Sequence, residues 1–250
     1  MLYMIGLGMG DEKDITVRGQ EAIAECDKVF LEGYTSKLLA DRKGLAKHHG
    51  KTIDVLGRAG VEQEADAILN AAENGSVAFL VVGDVFSATT HHDLYLRAKQ
   101  RGIAVKVIPN AGVMNAISLT GLDLYKFGRT TTLVYPENSY RPTSFYDVIV
   151  ENKKRGLHTL CLLDIKMDEQ RFMTVNEALK LLLDIADEKK DDTITLNTQA
   201  VGVARLTGDD QHIVYGPISE LLVEDFGAPL HCLVIPGVLH EVEEDMLESW

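Results

Sequence analysis

The chain has few cysteines, one tryptophan, a deficit of positive charge and no long apolar run. Among its 250 residues there are three cysteines, Cys26, Cys161 and Cys232, each in an apolar segment and none in a C-x-x-C pair. We therefore expect small buried thiols in a reducing compartment. No apolar run approaches the roughly 18 residues that span a bilayer, and no basic segment precedes the first strand-like run. These absences predict a soluble, cytoplasmic protein without a secretory leader that contacts no membrane.

The charge balance argues against nucleic acid as a partner. Lys and Arg number 25 against 38 Asp and Glu, which gives a net charge of −13. Such a surface repels a phosphate backbone. Part of the acidic excess lies in 184–192 and in the tail 241–248. We interpret these stretches as solvated faces and a soluble tail.

Short apolar runs alternate with helical patterns through the first 110 residues. The alternation predicts a parallel sheet covered by helices on both faces. The predicted strands are Leu2–Leu7, Val29–Leu31, Val77–Val82 and Ile103–Ile108, and the predicted helices are Asp14–Cys26, Glu62–Asn74 and Asp93–Arg101.

The pattern changes after Ile108. Pro109–Gly112 is typical of a link, and an apolar helix is predicted over Val113–Leu122. Further strands and helices follow, including a helix headed by a capping box of Thr174 and Glu177. With 46% hydrophobic residues, the chain is large enough for two α/β domains, which we place at 1–110 and 111–250.

A glycine-rich loop follows the first strand, with the sequence Gly-Leu-Gly-Met-Gly-Asp over residues 6–11. A dinucleotide fingerprint would need glycine at position 11. Asp11, Glu12 and Asp14 stand at and after that position, and carboxylates there would repel a pyrophosphate. The loop therefore favours a cationic or zwitterionic ligand, and a tight turn capped by acids is the simpler alternative.

Asp84 ends the most apolar strand, at the edge where open parallel sheets bind ligands. Its carboxylate could hold an amino group, a hydroxyl or a sulfonium, or it could only cap the next segment. His91 and His92 are adjacent and point about 100° apart in a helix, so we expect no metal site. His231 opens an apolar strand, where a hydrogen-bonded structural histidine is the commoner case.

Seven segments together resemble the diphthine synthase family over almost the whole chain. The resemblance implies a two-domain, class III (tetrapyrrole-methylase-like) methyltransferase fold with S-adenosylmethionine in the cleft between the domains. The short stretch between Lys166 and Met173 resembles the archaeal form. The segments are LYMIGLGMGDEKDITVRG (2–19), GDVFSATTHHDL (83–94), TGLDLYKFG (120–128), RPTSFYDVI (141–149), LHTLCLLDIK (157–166), MTVNEAL (173–179) and PLHCLVIPG (229–237).

The resemblance also implies which residues contact the cofactor. Apolar side chains and backbone groups suit a ligand that has no phosphate to bind. Two positions depart from the family: Val85 replaces the usual proline, and Gly112 replaces serine or proline. The implied contacts are Met9, Asp84, Ser87, Gly112, Val113, Leu163, Leu206 and His231.

The acceptor that the resemblance implies is translation elongation factor 2, in diphthamide biosynthesis. The amino nitrogen of a 3-amino-3-carboxypropyl group on one histidine receives the methyl groups, three in the archaeal reaction. We identify no general base in the sequence, so no catalytic residue is assigned. Family members are homodimers, and the apolar helix at 113–122 is a candidate for the interface.

Two alternatives remain open from the sequence. One is a methyltransferase of the same fold that acts on a tetrapyrrole or on ribosomal RNA. The other is a nicotinamide dehydrogenase or a non-methylating nucleotide-binding protein, which Asp11 argues against. If the substrate is a protein, cationic and aromatic residues should surround the site, and the candidates are Lys126, Phe127, Arg129, Tyr140 and Arg141.

Overall fold

The computed structural model describes residues 1–34, 42–63, 65–137 and 140–250. The chain divides into two compact units: Met1–Ala116 with Thr207–Asp209, and Ile117–Leu206 with Asp210–Trp250. The predicted link at 109–112 thus falls inside the first unit, shortly before its main segment ends. Within the described ranges, none of the helices combines the length and the apolar character that a membrane span requires.

The first unit is built on a sheet of five strands. Its strands are β1 (Leu2–Gly6), β2 (Lys28–Glu32), β3 (Ile53–Leu56), β4 (Val77–Val81) and β5 (Val105–Ile108), and its helices are α1 (Val17–Glu25), α2 (Arg42–His49), α3 (Asp66–Asn74), α4 (His92–Gln100) and α5 (Val113–Ala116). The strand order is β3-β2-β4-β1-β5, and every pairing is parallel. The predicted parallel sheet is confirmed.

Both faces of this sheet are buried. Along β4, Phe79 faces the cluster that α3 and α4 complete through residues such as Leu69 and Leu94. Leu80 faces the opposite cluster, to which α1 contributes Ile23. Because helices cover both faces, a ligand reaches such a sheet at the carboxyl ends of its strands.

The second unit has a mixed sheet in the order β11-β10-β12-β7-β6. Its strands are β6 (Thr131–Leu133), β7 (Thr159–Leu163), β8 (Ile165–Lys166), β9 (Arg171–Phe172), β10 (Gln199–Ala204), β11 (His212–Pro217) and β12 (His231–Ile235), and its helices are α6 (Ser144–Lys154), α7 (Val175–Lys189), α8 (Ile218–Leu221) and α9 (Glu241–Leu247). β6 and β7 are parallel, the other pairs of this sheet are antiparallel, and β8 and β9 form a small antiparallel pair. The predicted capping box of Thr174 and Glu177 is confirmed at the start of α7.

The prediction of a single apolar helix over Val113–Leu122 is wrong. Helix α5 ends at Ala116, and Ile117–Thr120 continue as a turn of 3₁₀ helix. The Thr120 hydroxyl donates to the Ile117 carbonyl at 2.7 Å, a local bond that competes with helical hydrogen bonding. Gly121 then adopts φ 90°, which ends the segment.

Two other helices begin later than predicted. The apolar pattern from Glu62 predicts a helix to Asn74, but Ala59–Gln63 form a π turn and α3 starts at Asp66. Glu64 lies outside the described residues. Helix α1 starts after Thr16, whose hydroxyl accepts the Gly19 N–H, and Asp14 therefore remains in the preceding loop.

The acidic tail is not uniformly solvated, which corrects the interpretation from charge alone. It forms α9, in which the Glu243 side chain is 0% exposed. The Glu243 carboxylate accepts hydrogen bonds from the His158 Nε2 and the Asp123 backbone nitrogen, each at 3.0 Å, and from the Lys126 ammonium. A charge run in a sequence carries no sign of such partners, because they lie more than 80 residues away along the chain.

Candidate functional site

Three loops meet at the carboxyl edge of the parallel sheet in the first unit. They follow β1, β4 and β5, which are adjacent strands. We call them the glycine loop (6–14), the Asp84 loop (83–87) and the Asn110 loop (110–113). Gly8 and Gly83 join the first two through paired backbone hydrogen bonds, at 3.2 Å and 2.7 Å. The sheet edge that the sequence predicts as the ligand site therefore consists of loops that are joined by hydrogen bonds.

In the glycine loop, the side chain of Asp14 binds backbone N–H groups of the same loop. The Asp14 Oδ2 accepts the backbone N–H of Gly10 at 2.7 Å and that of Met9 at 3.2 Å. Gly8 adopts φ 80°, and a Cβ there would lie 2.5 Å from the Asp14 Cβ. Since a protein carboxylate already occupies these N–H groups, they are not free to bind the pyrophosphate of a dinucleotide.

The Asp84 carboxylate organises its own loop. Its Oδ1 accepts from the Phe86 and Ser87 backbone nitrogens, each at 3.0 Å, and from the Ser87 hydroxyl at 2.9 Å. Its Oδ2 accepts from the Asn110 backbone nitrogen at 3.2 Å. Burial alone would raise the pKa of Asp84, but these hydrogen bonds outweigh it and hold the pKa below its ordinary value. Asp84 is thus an ionised cap that ties two loops together.

This capping leaves room for a further contact at Asp84. An ionised carboxylate offers about four acceptor positions, and three donors converge on Oδ1 while one reaches Oδ2. A ligand donor could therefore still bind at Oδ2. The two interpretations of Asp84, ligand contact and local cap, are compatible.

Gly112 packs against the Asp84 loop, and Val113 follows it along the chain. A Cβ at Gly112 would lie 3.2 Å from the Asp84 nitrogen and 3.7 Å from the Ser87 Cβ. The Gly112 N–H donates to the Asn115 side chain at 2.8 Å, and α5 begins at Val113. The structure therefore brings five implied contacts onto the three joined loops: Met9, Asp84, Ser87, Gly112 and Val113.

The neighbouring histidines turn to different partners. His91 is buried, and its Nδ1 lies 3.2 Å from the carbonyl oxygen of Val85. A carbonyl only accepts, so Nδ1 carries the proton, and burial lowers the pKa of His91. The His92 ring stacks on Phe86, with centroids 4.3 Å apart. The adjacent histidines thus pack separately in the core and on the surface of the loop.

The second unit gathers the other three implied contacts at one edge of its sheet. Ala204 at the end of β10 pairs with His231 at the start of β12, and Leu206 follows two residues later. Cys232 pairs with Leu162 in β7, which places Leu163 beside His231. Leu163 and Leu206 are buried apolar side chains. This edge supplies an aliphatic surface with backbone groups at the strand ends.

The His231 ring is committed to the fold. Its Nδ1 accepts the Val175 N–H at 3.4 Å, and its Nε2 donates to the Ala228 carbonyl at 3.0 Å. Burial lowers the pKa of His231, which keeps the ring neutral. His231 therefore holds the start of α7 against the loop before β12, and a ligand contact at this residue would use its backbone.

Arg205 fixes the backbone around Leu206. Arg205 has φ 48° and Thr207 has φ 75°, conformations that cost on the order of 1–3 kcal/mol each for non-glycine residues. The Arg205 guanidinium donates to the carbonyls of Phe226 at 2.7 Å and Ala228 at 2.5 Å. Backbone held in such conformations by the surrounding contacts is a mark of functional sites.

The five residues predicted to dock a protein divide into two groups. Lys126 pairs with the buried Glu243, and the Phe127 ring packs against His158 with centroids 5.3 Å apart, so both serve the interior of the second unit. Arg129 and Tyr140 are exposed, and Arg141 forms an exposed ion pair with Glu188 at 2.9 Å.

Among the residues that the structure describes, one group of side chains has the spacing of metal ligands: Asp123, His240 and Glu243. The Lys126 ammonium already contacts the Glu243 carboxylate. The His240 Nε2 lies 3.0 Å from the Asp123 carboxylate. A lysine supplies the positive charge at this position, so we assign the group to the anchoring of α9.

The individual roles of three organising residues do not follow from the sequence. The sequence places Asp14 among several acids that repel a phosphate or cap a tight turn, it places Asn110 in a link, and it does not single out Arg205. The Asn110 side chain donates to the Gly6 and Asp14 carbonyls, each at 3.0 Å. Its position two residues after β5, at the carboxyl edge of the parallel sheet, is the available signal.

Residues 1–222 match the family of Tetrapyrrole (Corrin/Porphyrin) Methylases. The chain is 46% identical to the Diphthine methyl ester synthase of Homo sapiens, over 99% of this chain and 94% of the human protein. It is 45% identical to the Diphthine synthase of Methanocaldococcus jannaschii, over 99% of this chain and 98% of that protein.

Solved structures agree with these relatives. A crystal structure assigned to diphthine synthase from Entamoeba histolytica superposes with a TM-score of 0.93 at 47% identity, covering 100% of this chain and 97% of the other. A second crystal structure of a diphthine synthase gives a TM-score of 0.90 at 34% identity, covering 99% and 94%. The expected class III methyltransferase fold is confirmed.

Proposed function

We propose that the chain methylates the modified histidine of translation elongation factor 2, with S-adenosylmethionine as the donor. The chain is a methyltransferase that belongs to the tetrapyrrole methylase family and, within it, to the diphthine synthases. The acceptor atom is the amino nitrogen of the 3-amino-3-carboxypropyl group, as in diphthamide biosynthesis. One observation carries the proposal: three joined loops form a candidate ligand edge, and in the glycine loop Asp14 already occupies the Met9 and Gly10 N–H groups that a phosphate would need.

The donor set suits a cofactor without phosphate. The first unit offers the ionised Asp84 carboxylate beside the small Gly112, with Val113 at the start of a short helix. The second unit offers the apolar side chains of Leu163 and Leu206 at the end of its sheet. An adenine ring needs such aliphatic contacts and a few backbone hydrogen bonds. An amino group or a sulfonium finds a counter-charge at Asp84.

When bound, S-adenosylmethionine supplies an activated methyl group, which an amine nitrogen takes by in-line displacement at the methyl carbon. The residues of the chain have mainly to align the reactants, and alignment of this kind is worth effective molarities of about 10⁵–10⁸ M. Asp84 is ionised and hydrogen bonded at both oxygens, and both His231 ring nitrogens are engaged. We therefore assign neither as a general base, and the amine releases its proton to solvent.

The protein acceptor requires a docking surface. Arg129, Tyr140 and Arg141 remain the candidates, and Tyr140 is 66% exposed. Cationic and aromatic side chains in such positions anchor protein partners. We propose that the two arginines contact the elongation factor, while Lys126 and Phe127 support the surface from below.

We also propose that the enzyme is a cytoplasmic homodimer. The apolar segment at 113–122 stays our candidate for the interface, although it is broken after Ala116. Met114 and Leu119 keep large exposed fractions of 38% and 45%. Light scattering that gives a mass of about twice 27.6 kDa supports the dimer, and a monomer at micromolar concentration contradicts it.

Mass spectrometry of elongation factor 2 tests the proposed reaction. The factor is incubated with this protein and S-adenosylmethionine, and the peptide carrying the modified histidine is isolated. We expect that peptide to gain mass in methyl steps, three on the amino nitrogen. A further methyl on the carboxyl group would place the chain with the relatives named for the methyl ester. A peptide of unchanged mass contradicts the proposal.

A further inference from the structure

Asn110 bonds to each of the three joined loops, the glycine loop, the Asp84 loop and its own Asn110 loop. Its backbone nitrogen donates to the Asp84 Oδ2 at 3.2 Å. Its side-chain Nδ2 donates to the carbonyl oxygens of Gly6 and Asp14, each at 3.0 Å, and its Oδ1 accepts the Ala111 N–H at 2.7 Å. One residue thus bonds to the beginning and end of the glycine loop, to the Asp84 loop and to its own loop.

The chemistry of these contacts calls for an amide. The Gly6 and Asp14 carbonyls only accept hydrogen bonds, so the group between them must donate twice, while the Ala111 N–H needs an acceptor. An asparagine side chain supplies two donors and one acceptor. An aspartate of the same shape supplies no donor when it is ionised, and it would place negative charge against two carbonyl oxygens.

The glycine loop and the Asn110 loop approach each other closely at Gly6. A Cβ at Gly6 would lie 2.9 Å from the Asn110 Cβ and 2.6 Å from the Gly83 oxygen. Backbone and side chain therefore meet here at close range. A longer amide would have to move the glycine loop away from the Asn110 loop.

We propose that Asn110 is a positioning residue, whose side-chain amide sets the spacing of the glycine, Asp84 and Asn110 loops and so determines how tightly they hold the methyl donor. This inference rests on the proposed function of the same loops. The four bonds lie at the edge of the sheet and not in the apolar clusters on its faces. Their loss should therefore weaken ligand binding more than it weakens the fold.

The test compares two variants with a matched control. Asn110→Asp keeps the shape and the acceptor but removes both donors, and Asn110→Ser shortens the side chain without adding charge. Asn74→Asp is the control, because Asn74 lies in the same unit and its Nδ2 also donates to one carbonyl, that of Asn70 at 2.8 Å. For each protein, calorimetry gives the Kd of S-adenosylhomocysteine from about pH 5 to pH 8, and thermal unfolding without ligand gives the Tm.

We expect Asn110→Asp to bind S-adenosylhomocysteine at least about tenfold more weakly than the wild type at pH 8, since two hydrogen bonds are lost. Facing carbonyl oxygens, the new carboxyl group has a raised pKa, and when protonated it can donate one bond. The defect should therefore shrink toward pH 5. Asn110→Ser should bind S-adenosylhomocysteine more weakly than the wild type at every pH, and Asn74→Asp should bind it with wild-type affinity. The wild type is titrated in parallel because Asp14 and Asp84 lie beside the site.

Hydrogen exchange without ligand supplies a second readout. The Gly8 and Gly83 N–H groups should exchange faster in both Asn110 variants than in the control. Wild-type affinity in Asn110→Ser, or a defect in Asn110→Asp that does not change with pH, overturns the inference. If Asn110→Asp does not fold, the serine variant decides. A wild-type protein that binds no S-adenosylhomocysteine would instead remove the proposed function itself.

Discussion

The Asp14 carboxylate lies 2.7 Å from the Gly10 backbone nitrogen, so an acidic side chain fills the position that a phosphate takes in many glycine-rich loops. The same oxygen accepts the Met9 N–H. These two hydrogen bonds explain the glycine-rich motif over residues 6–11. The glycines are needed for close packing around Asp14 and the neighbouring loops, and the loop does not resemble a dinucleotide cradle in its chemistry.

From this contact we predict that the protein binds S-adenosylhomocysteine and not NAD. A pyrophosphate would have to displace Asp14 and would face its charge. Isothermal titration calorimetry with each ligand, in the same buffer, measures the preference. Tighter binding of NAD than of S-adenosylhomocysteine would refute this account of the loop.

We predict that Asp84→Ala weakens S-adenosylhomocysteine binding by roughly 10- to 150-fold, the equivalent of about 1.5–3 kcal/mol for a charge-assisted hydrogen bond. The loss has two origins, the missing charge and the release of the Phe86, Ser87 and Asn110 N–H groups. Calorimetry gives the affinity. Asp54→Asn, an exposed site on β3, is the control for charge. Unchanged affinity in Asp84→Ala would leave Asp84 as a local cap only.

The third prediction concerns Glu243 and stability. We expect Glu243→Gln to lower the free energy of unfolding by about 3 kcal/mol, because it leaves His158 and Lys126 without their buried anion. Urea unfolding measures the change. Glu241→Gln, an exposed position on the same helix, should change stability by less than about 1 kcal/mol. Equal effects at both positions would show that the buried network contributes nothing.

The pH dependence of this contribution follows from its sign. Burial alone would raise the pKa of Glu243, but hydrogen bonds from Lys126, Asp123 and His158 lower it to about 2, below the ordinary value of 4.5. A carboxyl group whose pKa is lowered by folding stabilises the folded state at pH values above its ordinary pKa. That stabilisation is lost as the pH falls toward the pKa in the folded state. The difference between wild type and Glu243→Gln should be constant above pH 4.5 and shrink below it.

The fourth prediction concerns docking. Replacing Arg129 and Arg141 together with serine should lower kcat/KM for the intact elongation factor and leave the cofactor Kd unchanged. Arg18 and Arg155 are also exposed, and their double replacement removes the same charge from a total of −13. If both double variants lose activity equally, the effect is one of net charge, and the two arginines do not form a specific surface.

The sequence was sufficient for the parts of the fold that depend on periodicity. Alternating apolar strands and amphipathic helices predicted the parallel sheet, and Thr174 with Glu177 predicted the start of α7. It failed where individual side-chain hydrogen bonds decide the outcome, whether the partner is near or far along the chain. The break after Ala116 depends on a local hydroxyl bond at Thr120, and the burial of Glu243 depends on Lys126 and His158.

The candidate site shows the same limit. The position of Asp84 at a strand end predicted a functional edge, because that edge is common to parallel sheets. The roles of Asn110 and Arg205 depend on which carbonyls their side chains reach, and no motif encodes those distances. The His231 ring likewise serves the fold, through Val175 and Ala228.

The most direct test of the central claim is a comparison of acceptors with a methyl-labelled donor. The protein is incubated with labelled S-adenosylmethionine and, in parallel, with elongation factor 2 that carries the 3-amino-3-carboxypropyl histidine, the same factor without that group, a tetrapyrrole and ribosomal RNA. We predict that label enters the modified factor alone. Label in the tetrapyrrole or the RNA, or equal labelling of the factor with and without the group, would contradict the account.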